Sequence, residues 1–113
     1  MAAPTALNVD ALARVGLALA DDSRRRLLVA LVNGPGYPSE LADALGLTRA
    51  NVSNHLSCLR GCGLVVAQPE GRRVRYELAD RKLARALHDL LDLVLVVDPT
   101  ACPASDEYRC FPD

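Results

Sequence analysis

Apolar positions recur at helical spacing from the first residues onward. Leu7, Leu12, Val15, Gly16 and Leu19 lie on one face and predict a first helix near 8–20. Asp21-Asp22-Ser23 is a capping cluster, and Leu27, Leu28, Ala30, Leu31 and Val32 form the apolar side of a second helix over about 23–33. Asn33-Gly34-Pro35-Gly36 breaks it. Pro38-Ser39-Glu40 opens a short third helix with Leu41, Ala42 and Leu45 inward and Gly46 as its stop. Thr48 caps a fourth helix over roughly 49–62, which turns Val52, Leu56 and Leu59 inward and leaves Arg49, Asn51, Ser53, Asn54 and Arg60 mostly outside.

The period then changes. Leu64-Val65-Val66-Ala67 and the alternating Arg73-Val74-Arg75-Tyr76-Glu77-Leu78 flank Gln68-Pro69-Glu70-Gly71-Arg72, the pattern of a β-hairpin whose turn side carries arginine. A last helix is predicted over about 80–97, starting at Asp80. Its second half, Leu90 to Val97, is apolar on nearly every face and calls for burial all round, for which a subunit interface is the natural partner. Pro99, Pro103 and Pro112 oppose regular structure beyond Asp98. The chain therefore divides into a domain at 1–97 and a flexible cysteine-containing tail at 98–113. The fold class is mainly α with a small β-hairpin (α+β): a winged helix-turn-helix, dimerising through its terminal helices.

Length agrees with one compact domain, at 113 residues of which half are apolar. Three Tyr, one Phe and no Trp are too few for a base-stacking single-strand binder. No apolar run reaches the roughly 18 residues of a membrane span, and the N-terminus has no signal-peptide pattern, so a cytoplasmic protein with reduced thiols is expected. The net charge of −1 hides an asymmetry. Residues 46–85 hold eight basic against three acidic side chains, whereas 98–113 hold four acidic against one basic. Twelve of the thirteen basic residues are Arg, which suits bidentate phosphate and base contacts. The cluster falls on the fourth helix and the hairpin. Thr48, Arg49, Asn51, Ser53 and Asn54 are the candidate major-groove contacts, and Arg72, Arg73 and Arg75 the candidate wing contacts, to double-stranded operator DNA. Arg24, Arg25 and Arg26 read as a partly solvated helix face and stay outside this set.

Cys58 and Cys62 are spaced i, i+4 and share one face near the end of the fourth helix. Two thiolates grip a soft ion incompletely; Cys102 and Cys110 in the tail are the candidates to complete the site. Sulfur donors select ions such as Cd(II), Pb(II), As(III), Zn(II) or Cu(I) over Mg(II) or Ca(II). A disulfide between a tail cysteine and Cys58 or Cys62 is the competing use of the same residues. The chain has no Gly-rich phosphate loop, nucleophile motif or paired carboxylates in a cleft, so neither an enzyme nor a small-molecule substrate is indicated.

Leu41-Ala42-Asp43-Ala44-Leu45-Gly46-Leu47-Thr48, Val52-Ser53-Asn54-His55-Leu56, Gly63-Leu64-Val65, Glu70-Gly71-Arg72 and Tyr76-Glu77-Leu78 resemble the ArsR/SmtB metalloregulators over about residues 8–97. These are homodimeric winged-helix repressors that release operator DNA on binding metal. The stretch Asn51 to Ala67 is most similar to the family's Cd(II)/Pb(II) sensors. That resemblance implies metal ligands at Cys58, Cys62 and Cys102, the last reaching across the dimer. It gives Cys110 no role. The third helix lacks the cysteines of the family's other soft-metal sites, and His88, Asp89 and Asp92 do not reproduce its zinc pattern. A metal-responsive repressor is thus the expected function, with a thiol-redox repressor on the same scaffold as the alternative.

Overall fold

The computed structural model describes residues 8–101. The order is α1 (Val9–Ala20), α2 (Asp22–Val32), α3 (Pro38–Leu45), α4 (Arg49–Gly61), β1 (Val65–Glu70), β2 (Arg73–Leu78) and α5 (Arg81–Leu91). Local chemistry explains most of these boundaries. The Asn8 side chain accepts the Ala11 N–H at 2.9 Å, and Asp21 accepts the Arg24 N–H at 2.9 Å, each satisfying an orphan donor at a helix start. Pro38 occupies the first turn of α3, where a missing N–H costs nothing. Gly46 ends α3 with φ of 68°, a conformation L side chains rarely adopt, and the Leu47 N–H then closes on the Ala42 carbonyl at 3.0 Å. This tight turn passes directly to the N-cap of α4.

Helix α2 is the hub of the core, touching α1, α3, α4, α5 and β2. Its Leu27, Leu28 and Leu31 meet Val52, Leu56 and Leu59 of α4, with Leu41 and Ala42 of α3, Leu64, Val65, Ala18 and Leu87 closing the cluster. Leu27, Leu28, Val52, Leu56 and Leu59 are fully excluded from solvent. The hairpin pairs Val65 with Leu78 through Glu70 with Arg73 in antiparallel register. A reciprocal pair of 2.8 Å hydrogen bonds between Gly36 and Tyr76 staples its second strand to the loop before α3.

Two expectations need correction. The second strand, Arg73–Leu78, is as expected, but the first runs further than the sequence suggested. Gln68, Pro69 and Glu70 belong to β1, leaving only Gly71 and Arg72 as the turn. Pro69 is tolerated because β1 and β2 form a two-stranded sheet, so each strand has an edge where no N–H is needed. The last helix stops at Leu91, capped by Asp92, and does not continue to 97. Beyond it, Val94, Val96 and Val97 have β-branched side chains that weaken a helix, and Pro99 biases Asp98 away from helical geometry. Among the described residues nothing covers this run: Val94 is 89% and Val96 94% exposed.

Candidate nucleic-acid interface and thiol pair

Helix α4 is held from one side only. With Val52, Leu56 and Leu59 buried against α2, helical geometry leaves Arg49, Asn51, Ser53 and Asn54 exposed on the opposite side. The Thr48 Oγ1 accepts the Asn51 N–H at 3.1 Å, so the predicted contact residue Thr48 is itself the N-cap of α4. The N-terminal half of α4 thus shows short polar groups, two amides and a guanidinium to solvent.

The wing meets this surface. Arg49 and Ser53 of α4, Arg72, Arg73 and Val74 of the hairpin, and Tyr37, Pro38 and Ser39 line one open cleft. The structure therefore brings together four predicted contact residues, Arg49 and Ser53 of α4 with Arg72 and Arg73 of the hairpin, beside the start of α3. The arginines are not equivalent. Arg73 pairs with Glu40 and lies over the Tyr37 ring, 3.5 Å from its centroid. Arg75 donates to Gln68 Oε1 at 2.6 Å and sits 3.4 Å from Glu70 Oε2. The Tyr37 hydroxyl donates to Glu70 at 2.7 Å, and that hydrogen bond to a carboxylate raises its pKa above the ordinary 10.0. Among the described residues Arg72 and Arg49 form no ion pair, which leaves their charge free for phosphate. Sequence reasoning missed Tyr37, Glu40 and Glu70, since partners 33 residues apart leave no local signal.

The second cluster lies at the other end of α4. Cys58 is exposed, Cys62 is half-buried against the core, and both are free thiols. They stand one turn apart, with the Cys62 N–H bonded to the Cys58 carbonyl at 3.0 Å. Cys102 and Cys110 lie outside the described residues, among which there is no group of three or more His, Cys, Asp or Glu able to hold a metal. The donor chemistry of the pair still fits a soft ion: two thiols on one helical face, one open to solvent, lacking only further ligands.

Around Cys58 lie groups outside the expected set. Arg24 Nη1 donates to Cys58 Sγ at 3.5 Å. His55, one turn earlier on α4, lies close enough to Asp21 to favour its carboxylate. The Asp21 pKa falls below the ordinary 3.8, chiefly through the Arg24 N–H and then through the His55 and Arg24 charges. His55 thus neighbours the α2 N-cap. His88 is exposed and, among the described residues, pairs only with Asp89 and Asp92, at 3.9 and 4.0 Å.

Comparison with known proteins agrees with this geometry. Residues 21–66 match the family model of the bacterial regulatory proteins of the arsR family. The transcriptional regulator CmtR of Mycobacterium tuberculosis is 69% identical over 88 residues, 78% of this chain and 75% of that protein. The NMR structure of the cadmium metal-sensor CMTR from M. tuberculosis superposes with a TM-score of 0.64 at 63% identity, covering 83% of this chain and 98% of that one. The homodimeric winged helix-turn-helix DNA-binding domain Mb0332 from Mycobacterium bovis gives a TM-score of 0.68 at 35% identity, over 74% and 77%.

Proposed function

The chain belongs to the arsR family of bacterial regulatory proteins, and from that premise we propose how its two clusters work together. It is a metal-responsive transcriptional repressor of the winged helix-turn-helix type and not an enzyme. Cadmium, the ion of its solved relative, is the effector that a thiol site on α4 would favour. Pb(II) meets the same thiolate chemistry, with As(III) and Zn(II) as further contenders.

A homodimer places one α4 in each of two successive major grooves of a pseudo-palindromic operator. Asn51, Ser53, Asn54 and Arg49 face the base edges and flanking phosphates, Thr48 fixes the helix start, and Arg72, Arg73 and Arg75 meet the backbone beside the groove. The domain spans 1–97, and the segment 98–113 serves as the tail that brings Cys102 from the partner subunit to Cys58 and Cys62. Cys110 is the candidate fourth donor. When bound, a soft cation supplies a centre that joins these thiolates. The chain's own part is to hold two of them on the reading helix, so that recruiting the tail strains or reorients α4. No helix among the described residues is long and apolar enough to cross a membrane, and a repressor of this kind acts in the cytoplasm, where its thiols stay reduced.

The observation that carries the proposal is that one helix, α4, bears both the exposed polar residues of its first half and, at its other end, the thiols of Cys58 and Cys62. Asn51 and Cys58 are seven residues apart, about 10 Å at ~1.5 Å per residue. The test is a titration of the fully reduced protein with Cd(II), Pb(II), As(III) and Zn(II). Thiolate-to-metal charge-transfer absorption is followed together with binding to a duplex selected from random sequence by the metal-free protein. One ion per subunit, with release of the duplex, is expected, and Cys102→Ser should abolish the release. Release by oxidant alone, without stoichiometric metal binding, would replace the metal reading with a redox switch. Normal release by Cys102→Ser would remove the tail from the site.

A further inference from the structure

The run Arg24-Arg25-Arg26 has the composition of a solvated helix face, and Arg25 and Arg26 behave accordingly. Arg25 donates to the Leu19 carbonyl and Asp22, and Arg26 to the Leu45 carbonyl. Arg24 differs. Its side chain is only 24% exposed, and its guanidinium spans three elements. Nη1 donates to Cys58 Sγ at 3.5 Å on α4, and Nη2 donates to the Leu17 carbonyl at 3.1 Å on α1. Nε stands 3.8 Å from the Asp21 carboxylate that caps α2. The fork is rigid and planar, so one nitrogen cannot move without the other. A guanidinium has no lone pair to offer a cation. Its contribution to a thiolate is a charged hydrogen bond, which leaves other sulfur lone pairs free for coordination.

We propose that Arg24 is a positioning residue for the thiol site: it orients Cys58 for a soft divalent cation and transmits occupancy of that sulfur to α1 and the start of α2. The proposal rests on the assignment of Cys58 as a ligand. A metal-bound thiolate sulfur accepts a hydrogen bond better than a free thiol does, so coordination strengthens the bond from Nη1 and draws the guanidinium toward Cys58. The same guanidinium holds the Leu17 carbonyl, and the Leu17 side chain is 67% exposed on a helix whose outer face also shows Val9 and Leu12. Metal at Cys58 is thereby linked to the terminal-helix surface proposed for dimerisation as well as to the reading helix. Partners outside the first coordination shell commonly change metal affinity 10- to 100-fold.

The experiment compares full-length reduced wild type, Arg24→Met and Arg25→Met. Cd(II) affinity is measured by competition with a chelator, together with the energy of the thiolate–cadmium absorption and the affinity for the selected duplex with and without Cd(II). Arg24→Met should lose about 10-fold in Cd(II) affinity. It should move the absorption to lower energy, because a hydrogen bond to the donor sulfur is gone. It should also cut the metal-induced loss of duplex affinity by about 5-fold or more. Arg25→Met, which removes the neighbouring charge without touching Cys58, should behave as wild type. If Arg24→Met does not fold, Arg24→Lys keeps the charge but cannot hold Cys58 and Leu17 together, and the same three readouts apply. Wild-type absorption, affinity and release in the Arg24 variant would overturn the proposal, as would equal losses in both arginine variants. Absence of a thiolate–cadmium band in wild type would overturn the cysteine assignment itself, and this proposal with it.

Discussion

Arg72 and Arg73 are adjacent in sequence, yet the structure assigns them different electrostatic work. Arg72 sits in the two-residue hairpin turn with no ion pair among the described residues, whereas Arg73 is already held by Glu40 and the Tyr37 ring. For a duplex-bound dimer, each phosphate neutralised contributes about 0.9 to the slope of log affinity against log salt. Arg72→Ala removes one such contact per subunit, so the slope should fall by about 1.8. Between about 50 and 200 mM salt that is about a 12-fold reduction in the sensitivity of binding to salt. Arg73→Ala should change the slope by less than half as much, because Arg73 must first leave Glu40 and the Tyr37 ring to meet a phosphate. Fluorescence anisotropy of a labelled duplex across this salt range measures both. A wild-type slope for Arg72→Ala, or a larger effect from Arg73→Ala, would show that the wing does not meet DNA through the cleft it forms with α4.

Three further outcomes follow from the packing and the caps. Leu59→Ala empties a fully buried site between α4 and α2 and should cost about 2–5 kcal/mol in urea unfolding; a loss under about 1 kcal/mol would mean that the site collapses freely. Gly36→Ala would set a Cβ 3.1 Å from two atoms of Leu41 and 3.2 Å from Leu31, so it should cost about 1–3 kcal/mol and loosen the staple to Tyr76; an unchanged melting temperature would refute the tightness of that corner. The lowered pKa of Asp21 means that its cap contributes stability fully above the ordinary 3.8 and loses it as pH falls through the lower folded value. The stability difference between wild type and Asp21→Ala should therefore be constant at neutral pH and shrink below 3.8. A difference that persisted at pH about 2 would place the effect elsewhere.

Much of the fold was written in local chemistry. Asp21, Pro38, Gly46, Thr48 and Asp80 each mark a boundary where the chain turns, because capping and left-handed turns depend on a few neighbouring residues. The inward faces of α2 and α4 were equally legible from spacing. The end of α5 was not: an apolar run signals burial without saying whether it is helical, and valines with a following proline settle that locally. The candidate interface was legible as a list of exposed polar and basic residues but not as an electrostatic arrangement. Tyr37 with Glu70, Glu40 with Arg73 and Arg24 with Cys58 are contacts between residues 33 or 34 apart, created only when α2, α3, α4 and the hairpin close on one another.

That closure bears on how a thiol site could govern a DNA surface. Helix α4 is capped at both ends, by Thr48 Oγ1 at its start and by the Cys62 N–H at its finish. Three fully buried side chains, Val52, Leu56 and Leu59, fix it to α2 over the whole interval between Asn51 and Cys58. A force applied at Cys58 therefore has little freedom to bend the helix locally, since bending would open the most tightly packed part of the core. It acts on the helix as a body, and on α2 and α1 through Arg24. In the proposed duplex-bound dimer, contacts of α4 with two adjacent grooves would require both copies to hold their spacing, so a small rigid displacement of each would be enough to lose the register. The core that makes α4 a stable reading head is, on this account, also what carries the signal from the cysteines to it.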